Sequence, residues 1–189
     1  MNHFAELLDC AGVREATELR SPTGFMAIHG GSLERGTAEI ATAAADAAGA
    51  SLYTVEQPPD LRWHVPSHLI GRESSAALAA FLDHVEIVVS IHGYGRQGWW
   101  TRILAGGADR NLASRVADTL RPALPDYEII DDVEVIPREL RGLHPENPVN
   151  RARGGGVQLE LPPRIRGIGP NARPGQTASF VAALANFAA

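Results

Sequence analysis

The stretch Phe25-Met-Ala-Ile-His29-Gly-Gly-Ser-Leu-Glu34-Arg-Gly-Thr37 decides how the rest of the chain is read. Four apolar residues, Phe25 to Ile28, end in a histidine and two glycines. Glu34 then precedes Gly36-Thr37 and an alanine-rich helical pattern that runs to Ala48. An apolar run, a glycine turn and a helix start describe a buried strand feeding a helix. In open α/β sheets such turns lie at the carboxyl ends of strands, where sites collect.

Outward from this stretch the pattern repeats. Gly49 suits the end of the helix, and Ala50 to Glu56 reads as a second strand closed by Gln57-Pro58-Pro59-Asp60. Leu61 to His68 mixes strand formers with Pro66 and reads as a strand edge running into a loop. Ser74 to Leu82 is helical in pattern. Val85 to Ile91 is the most β-branched run and predicts a central buried strand, and it too ends in a histidine, His92-Gly93-Tyr94-Gly95. Ile103 to Gly107 predicts a short strand, Ala108 to Leu120 a helix that Pro122 stops, and Tyr127 to Ile130 another strand. Asp131 to Arg153 has prolines, charges and no clean period, so it reads as a long functional or surface loop. Val157 to Leu161 is a strand with Gln158 and Glu160 on one face, and Thr177 to Ala188 is a closing helix. Residues 1 to 20 suit a short amphipathic helix or a packing arm outside a core of about 21 to 189. Strands alternating with helices predict an α/β sandwich around a mostly parallel sheet.

Composition sets the outer bounds. A chain of 189 residues supports one core but not two comfortable domains. A net charge of −5 argues against a general nucleic-acid surface. All the basic residues are arginine, and Arg138, Arg141, Arg151, Arg153, Arg164, Arg166 and Arg173 make the last third locally basic. That region reads either as a solvated surface or as a receiver for an anionic substrate. The single Cys10 excludes an internal disulfide and any cysteine-cluster metal site, so a metal must be held by histidine and carboxylate. No run of about 18 apolar residues appears, and no secretory leader. These features predict no membrane partner, a cytoplasmic or released soluble protein, and a monomer or weak oligomer.

His29 and Glu34 could both serve zinc, because Gly30 and Gly31 let the loop fold back on itself. They could equally be a hydrogen-bonded strand-end histidine and a helix-start acid answering the dipole. A second strand ending in Ile-His-Gly shifts the balance, since it places His92 at the same sheet edge. His29, Glu34 and His92 then form a two-histidine, one-glutamate set of the kind catalytic zinc uses. His64 and His68 read as groups near the metal or the substrate, or as solvent-facing loop histidines. Glu160 is the candidate general base, although Gln158 and Glu160 could also be the wet face of an edge strand.

Five blocks carry a resemblance. They are His29-Gly-Gly-Ser-Leu-Glu34-Arg-Gly-Thr37, Ser90-Ile-His92-Gly-Tyr94-Gly, Gly106-Gly107-Ala-Asp109, Asn147-Pro-Val-Asn150-Arg151 and Gly156-Val-Gln-Leu-Glu160-Leu. In that order they resemble the poly-γ-glutamate hydrolase family of bacteria and their phages. The resemblance implies a single-domain, three-layer, zinc-carboxypeptidase-like α/β fold that cleaves γ-glutamyl amide bonds. It implies Zn(2+) on His29, Glu34 and His92, with Glu160 as the catalytic carboxylate. The Leu61-Arg-Trp-His64-Val-Pro-Ser67 segment matches the family only in part.

An anionic γ-linked substrate gives arginines a task, because guanidinium captures carboxylate bidentately. Arg151 beside Asn150 is the first candidate, with Arg35 and Arg110 behind it and Tyr94 and His64 as further substrate contacts. Two other readings stand beside this one: a zinc amidase or carboxypeptidase for another acylated amino acid or cell-wall peptide, and a non-catalytic phage accessory protein that binds an anionic polymer.

Overall fold

The computed structural model describes residues 3–188. Their strands are β1 (Arg14–Glu18), β2 (Thr23–Gly31), β3 (Ser51–Gln57), β4 (Ile87–Gly93), β5 (Arg102–Gly106), β6 (Glu128–Ile130) and β7 (Gly156–Leu161). They form a single sheet in the order β1-β3-β2-β4-β7-β5-β6. The central four, β3, β2, β4 and β7, run parallel. At the flanks β1 is antiparallel to β3 and β5 is antiparallel to β7, with β6 parallel to β5. The sheet is thus mostly parallel and mixed, as the alternation of elements predicts.

The helices are α1 (His3–Leu8), α2 (Thr37–Ala48), α3 (Ala76–His84), α4 (Arg110–Ala123) and α5 (Pro174–Ala188). On one face α2, α4 and α5 pack on Phe25, Ala27, Val89, Ile91, Val157 and Leu159. On the other, α1 and α3 cover Met26, Ile28, Tyr53, Val55 and Val88. Burying one such Phe, Leu or Ile contributes about 1.5–3 kcal/mol, which makes these two apolar layers the main stabilising force. The second face has a gap. A smaller cluster of Tyr94, Leu104, Ile130 and Ile136 covers the β5–β6 side. Between it and the α1/α3 layer, Ser90, His92, Gln158 and Glu160 alternate with core residues on the paired strands β4 and β7.

Several local expectations are corrected. Residues 14–18 form an edge strand rather than a continuation of an N-terminal arm; Arg-Glu-Ala-Thr-Glu has no apolar face, and the strand exists because β3 offers backbone partners. Leu61 to His68 contains no strand. Gln57 pins it instead, donating to the Trp63 carbonyl and accepting from the Trp63 N–H, both at 2.8 Å. Pro122 does not stop its helix, which reaches Ala123, because in the last turn Leu124 N–H still bonds the Leu120 carbonyl at 3.0 Å. Lastly, β7 lies inside the sheet, so Gln158 and Glu160 are not the wet face of an edge strand: each is only 4% exposed.

Candidate metal centre

The strand that carries His29 is irregular where it matters. Along β2 the pairing with β3 advances from Ala27↔Thr54 to Gly30↔Glu56, so β2 holds one extra residue there. Such a bulge turns consecutive side chains to one side. Ile28 packs in the α1/α3 layer, Gly30 backs onto Ala38 of α2, and His29 faces His92, with ring centroids 5.1 Å apart. Without the bulge His29 would share the face of Phe25 and Ala27, inside the opposite apolar layer.

The turn after it brings Glu34 back. Gly31 has φ 71°, and a Cβ there would lie 2.2 Å from the Gln57 carbonyl oxygen, so only glycine fits. The Glu34 N–H donates to the His29 carbonyl at 2.9 Å, which closes the loop. Thr37 Oγ1 donates to the Glu34 carbonyl at 2.8 Å, anchoring the turn to α2. Glu34 Oε1 then lies 3.0 Å from His29 Nδ1, while Oε2 lies 3.5 Å from His92 Nδ1 and accepts the Gly93 N–H at 2.9 Å.

One donor atom from each of His29, Glu34 and His92 falls within 4.8 Å of the others. His29 Nε2 lies 2.9 Å from the Val65 carbonyl and Nδ1 lies 3.0 Å from a carboxylate oxygen, so both ring nitrogens face groups that only accept. Either the ring carries a second proton or a cation sits between Nδ1 and Glu34. A ligand histidine whose other nitrogen donates to a backbone carbonyl is the usual arrangement around a metal. His92 Nε2 is buried with no hydrogen-bond partner among the described residues. The donor set fits zinc, which takes imidazole nitrogen and carboxylate oxygen.

Electrostatics agree with this reading. Burial penalises the charge on His29, but the Glu34 charge and hydrogen bond and the Val65 carbonyl outweigh it and raise the His29 pKa. Burial likewise penalises the Glu34 carboxylate, and the two histidines overcome it and hold its pKa far below the usual carboxylate range. The pocket therefore favours a carboxylate and a positive charge together.

Glu160 stands opposite His92 in the β4–β7 register, both side chains rising into the gap. Gln158 Nε2 donates to Glu160 Oε1 at 2.8 Å, and Asn147 Nδ2 donates to Gln158 Oε1 at 2.8 Å. Oε2 of Glu160 makes no hydrogen bond among the described residues. Burial pushes the Glu160 pKa up to about 8, against the opposing pull of His92. A carboxyl that titrates near neutrality is suited to taking and giving a proton. His29, Glu34, His92 and Glu160 all line one cleft of about 630 Å³.

The family model for poly-gamma-glutamate hydrolase matches residues 5–168. The chain belongs to that family. A prophage relative, the SPbeta prophage-derived UPF0714 protein YoqZ of Bacillus subtilis strain 168, is 29% identical over 139 residues, 72% of this chain and 47% of its own length. This chain thus spans about half the length of the curated relative it matches. Among solved structures, a bacteriophage poly-gamma-glutamate hydrolase superposes with TM-score 0.73 at 23% identity, covering 96% of this chain and 91% of that one. A zinc-free YNDL structure gives TM-score 0.76 at 23% identity, over 95% and 90% of the two chains. A metallo-carboxypeptidase from Burkholderia cenocepacia gives 0.50 at 8% identity, over 98% of this chain and 66% of its own. The three-layer, carboxypeptidase-like α/β fold is therefore the fold of the family.

The substrate contacts expected from sequence are placed unevenly. His64 reaches the cleft, its ring 4.8 Å from that of His29, and burial together with the His29 charge lowers its pKa. The remaining five side chains do not line the cleft. The Tyr94 hydroxyl is turned to the carbonyls of Trp99 and Arg102 at 2.9 and 2.8 Å. The Arg110 guanidinium is spent on the carbonyls of Gly107, Ala105 and Asp131. Asn150 staples the long loop through Ala108 N–H and the Gly142 and His144 carbonyls. Arg151 pairs with Glu146 at 2.6 Å, and Arg35 lines a different depression, with Arg14 and Arg62.

Sequence reasoning missed Arg166. Its guanidinium reaches the carbonyls of Leu161 at 3.1 Å, Arg35 at 2.7 Å and Tyr94 at 3.2 Å. It thus ties together the three segments that carry Glu160, Glu34 and His92. Gly93 makes room for it, because a Cβ there would lie 2.7 Å from the guanidinium carbon. Burial lowers the Arg166 pKa, opposed by the charges of Glu34 and Glu160. No sequence motif announces this contact, since its partners are backbone atoms far apart in the chain.

Proposed function

We propose that this chain is a zinc-dependent hydrolase of γ-glutamyl amide bonds in poly-γ-glutamate or similar γ-linked peptides. The observation that carries the reading is the convergence of His29, Glu34 and His92 with both nitrogens of His29 facing acceptors. His29 through Nδ1, Glu34 and His92 would hold the metal. A zinc ion there would supply Lewis-acid polarisation of a carbonyl oxygen and make water acidic enough to lose a proton near neutral pH.

The protein's own part falls mainly to Glu160. Its free Oε2 takes a proton from the attacking water as that water adds to the amide carbonyl carbon. The same oxygen then returns the proton to the departing nitrogen as the C–N bond breaks. The Asn147–Gln158 chain fixes Oε1, so that Oε2 keeps one orientation throughout. Family membership supports the γ-glutamyl bond, and the likeness to a zinc-free YNDL structure and to a metallo-carboxypeptidase, with the convergent His29, Glu34 and His92, supports the metal. A protein that only held an anionic polymer would have no use for a buried carboxyl poised near neutrality beside a metal-competent triad.

Purified protein is expected to bind about one zinc per chain and to shorten poly-γ-glutamate. A chelator should stop the reaction and added zinc restore it. Turnover that survives complete removal of metal would overturn the reading, as would cleavage confined to α-linked peptides.

A further inference from the structure

The long loop Asp131 to Arg153 contributes one wall of the cleft, and none of Arg151, Arg35 and Arg110, the arginines first singled out for substrate, lines that cleft. A different group does. Arg138, at the start of the short turn Arg138–Leu140, is the single arginine lining the cleft among the described residues. It is exposed, and its guanidinium makes no hydrogen bond or ion pair among the described residues. Its neighbours are committed elsewhere: Arg141 to the carbonyls of Ile136 and Glu134, Arg151 to Glu146, and Arg153 to the Asp83 carbonyl. Glu139 also lines the cleft, but its carboxylate is 3.6 Å from Arg96, so that charge is answered from outside.

Two histidines complete the picture. His144 Nδ1 accepts the Glu146 N–H at 3.1 Å, which puts the proton of the neutral ring on Nε2 and leaves that N–H free to donate. Its ring lies against that of His68, centroids 4.7 Å apart and planes 35° apart. His68 belongs to the segment after β3, so the two rings meet from separate loops, and both line the cleft. The floor meanwhile carries the Glu34 carboxylate, which would repel an anionic chain unless positive or donating groups offset it.

We propose that Arg138, with the imidazole donors of His144 and His68, is a carboxylate-binding subsite that receives a free α-carboxylate of a γ-linked glutamate chain. The inference rests on the γ-glutamyl reading above and adds the residues that select for the acid. The planar guanidinium takes the carboxylate bidentately, and the His144 Nε2–H supplies a further donor. In this role Arg138 determines specificity. It binds the part of the substrate that does not react.

The test pairs a protein change with a substrate change. A short γ-linked glutamate oligomer and the same oligomer with amidated α-carboxylates are given to the zinc-loaded wild type and to Arg138→Ala, and kcat and KM are measured with oligomer binding by calorimetry. On the acid, Arg138→Ala is expected to raise KM by about 10- to 100-fold, the range for losing a charged hydrogen-bond pair. Amidation should cost the wild type a similar factor and cost the variant little more. His144→Ala should give a smaller loss in the same direction. Equal KM for wild type and Arg138→Ala on the acid, or equal losses by the variant on both oligomers, would overturn the subsite while leaving the hydrolase intact. A wild type that neither binds nor cuts the acid oligomer overturns both.

Discussion

Replacing Glu160 by glutamine separates the proton-transfer role of this residue from its place in the packing. The amide is isosteric with the carboxyl, and its oxygen can still accept from Gln158 Nε2, now at 2.8 Å, so the buried chain from Asn147 is preserved. In the metal-free protein the carboxyl is held at a pKa of about 8 by burial, against 4.5 in the unfolded chain. Between those values the folded form keeps a proton that the unfolded form has released, so stability falls as pH rises. From 4.5 to pH 7, at about 1.36 kcal/mol per pH unit for one retained proton, the loss reaches about 3 kcal/mol. Glutamine does not titrate and escapes it. With chelator present, urea unfolding should therefore show the two proteins within about 1 kcal/mol at pH 5 and the variant more stable by up to about 3 kcal/mol at pH 7. Zinc stoichiometry should be unchanged, and hydrolysis should fall by about 10²- to 10⁴-fold. A variant that turns over normally would refute the general-base assignment. Parallel stability curves at both pH values would refute the claim that burial strains this carboxyl.

The His29–Glu34 pair gives a second pH signature in metal-free protein. Stability from the lowered Glu34 pKa is present above the unfolded carboxyl value of 4.5 and is lost as pH falls below it, whereas that from the raised His29 pKa is present below 6.5 and is lost as pH rises through the folded value. Glu34→Gln should flatten both limbs in a thermal-melt series, and an unchanged profile would argue against the ion pair. Gly93→Ala should cost about 1–3 kcal/mol through overpacking against Arg166, read as a lowered urea midpoint; a midpoint equal to wild type would show that Arg166 can move aside.

The strand-to-helix rhythm was legible because it rests on local periodicity. Thr37–Ala48 forms the helix its alanines and Gly49 indicate, and Val85 to Ile91 supplies most of a central strand. The two Ile-His-Gly endings were legible for the same reason, since parallel strands deliver their carboxyl ends to one edge. What sequence could not show was which way His29 points. Ordinary alternation places it with Phe25 and Ala27, and one extra residue in the β2–β3 pairing reverses that. Such a register shift depends on the partner strand, which a local window does not contain. The place of β7 was hidden likewise: Gln158 and Glu160 look like a wet face until β5 closes the other side of the strand.

The substrate-facing arginines show the limit most clearly. Arg151, Arg35 and Arg110 share a residue type with Arg138, and only the fold reveals that the first is paired with Glu146, the second faces a different depression and the third is bonded to backbone carbonyls. Sequence by itself determined the α/β class and offered His29, Glu34 and His92 as one candidate set and Glu160 as the carboxyl to examine, because strand endings, glycine turns and alternation are each written in a few neighbouring residues. Tertiary structure alone decided the bulge that aims His29, the burial that raises Glu160, the three-carbonyl tie made by Arg166 and the free guanidinium of Arg138. These depend on groups far apart in the chain, and their physical character is set by which neighbours exclude water or occupy a hydrogen bond.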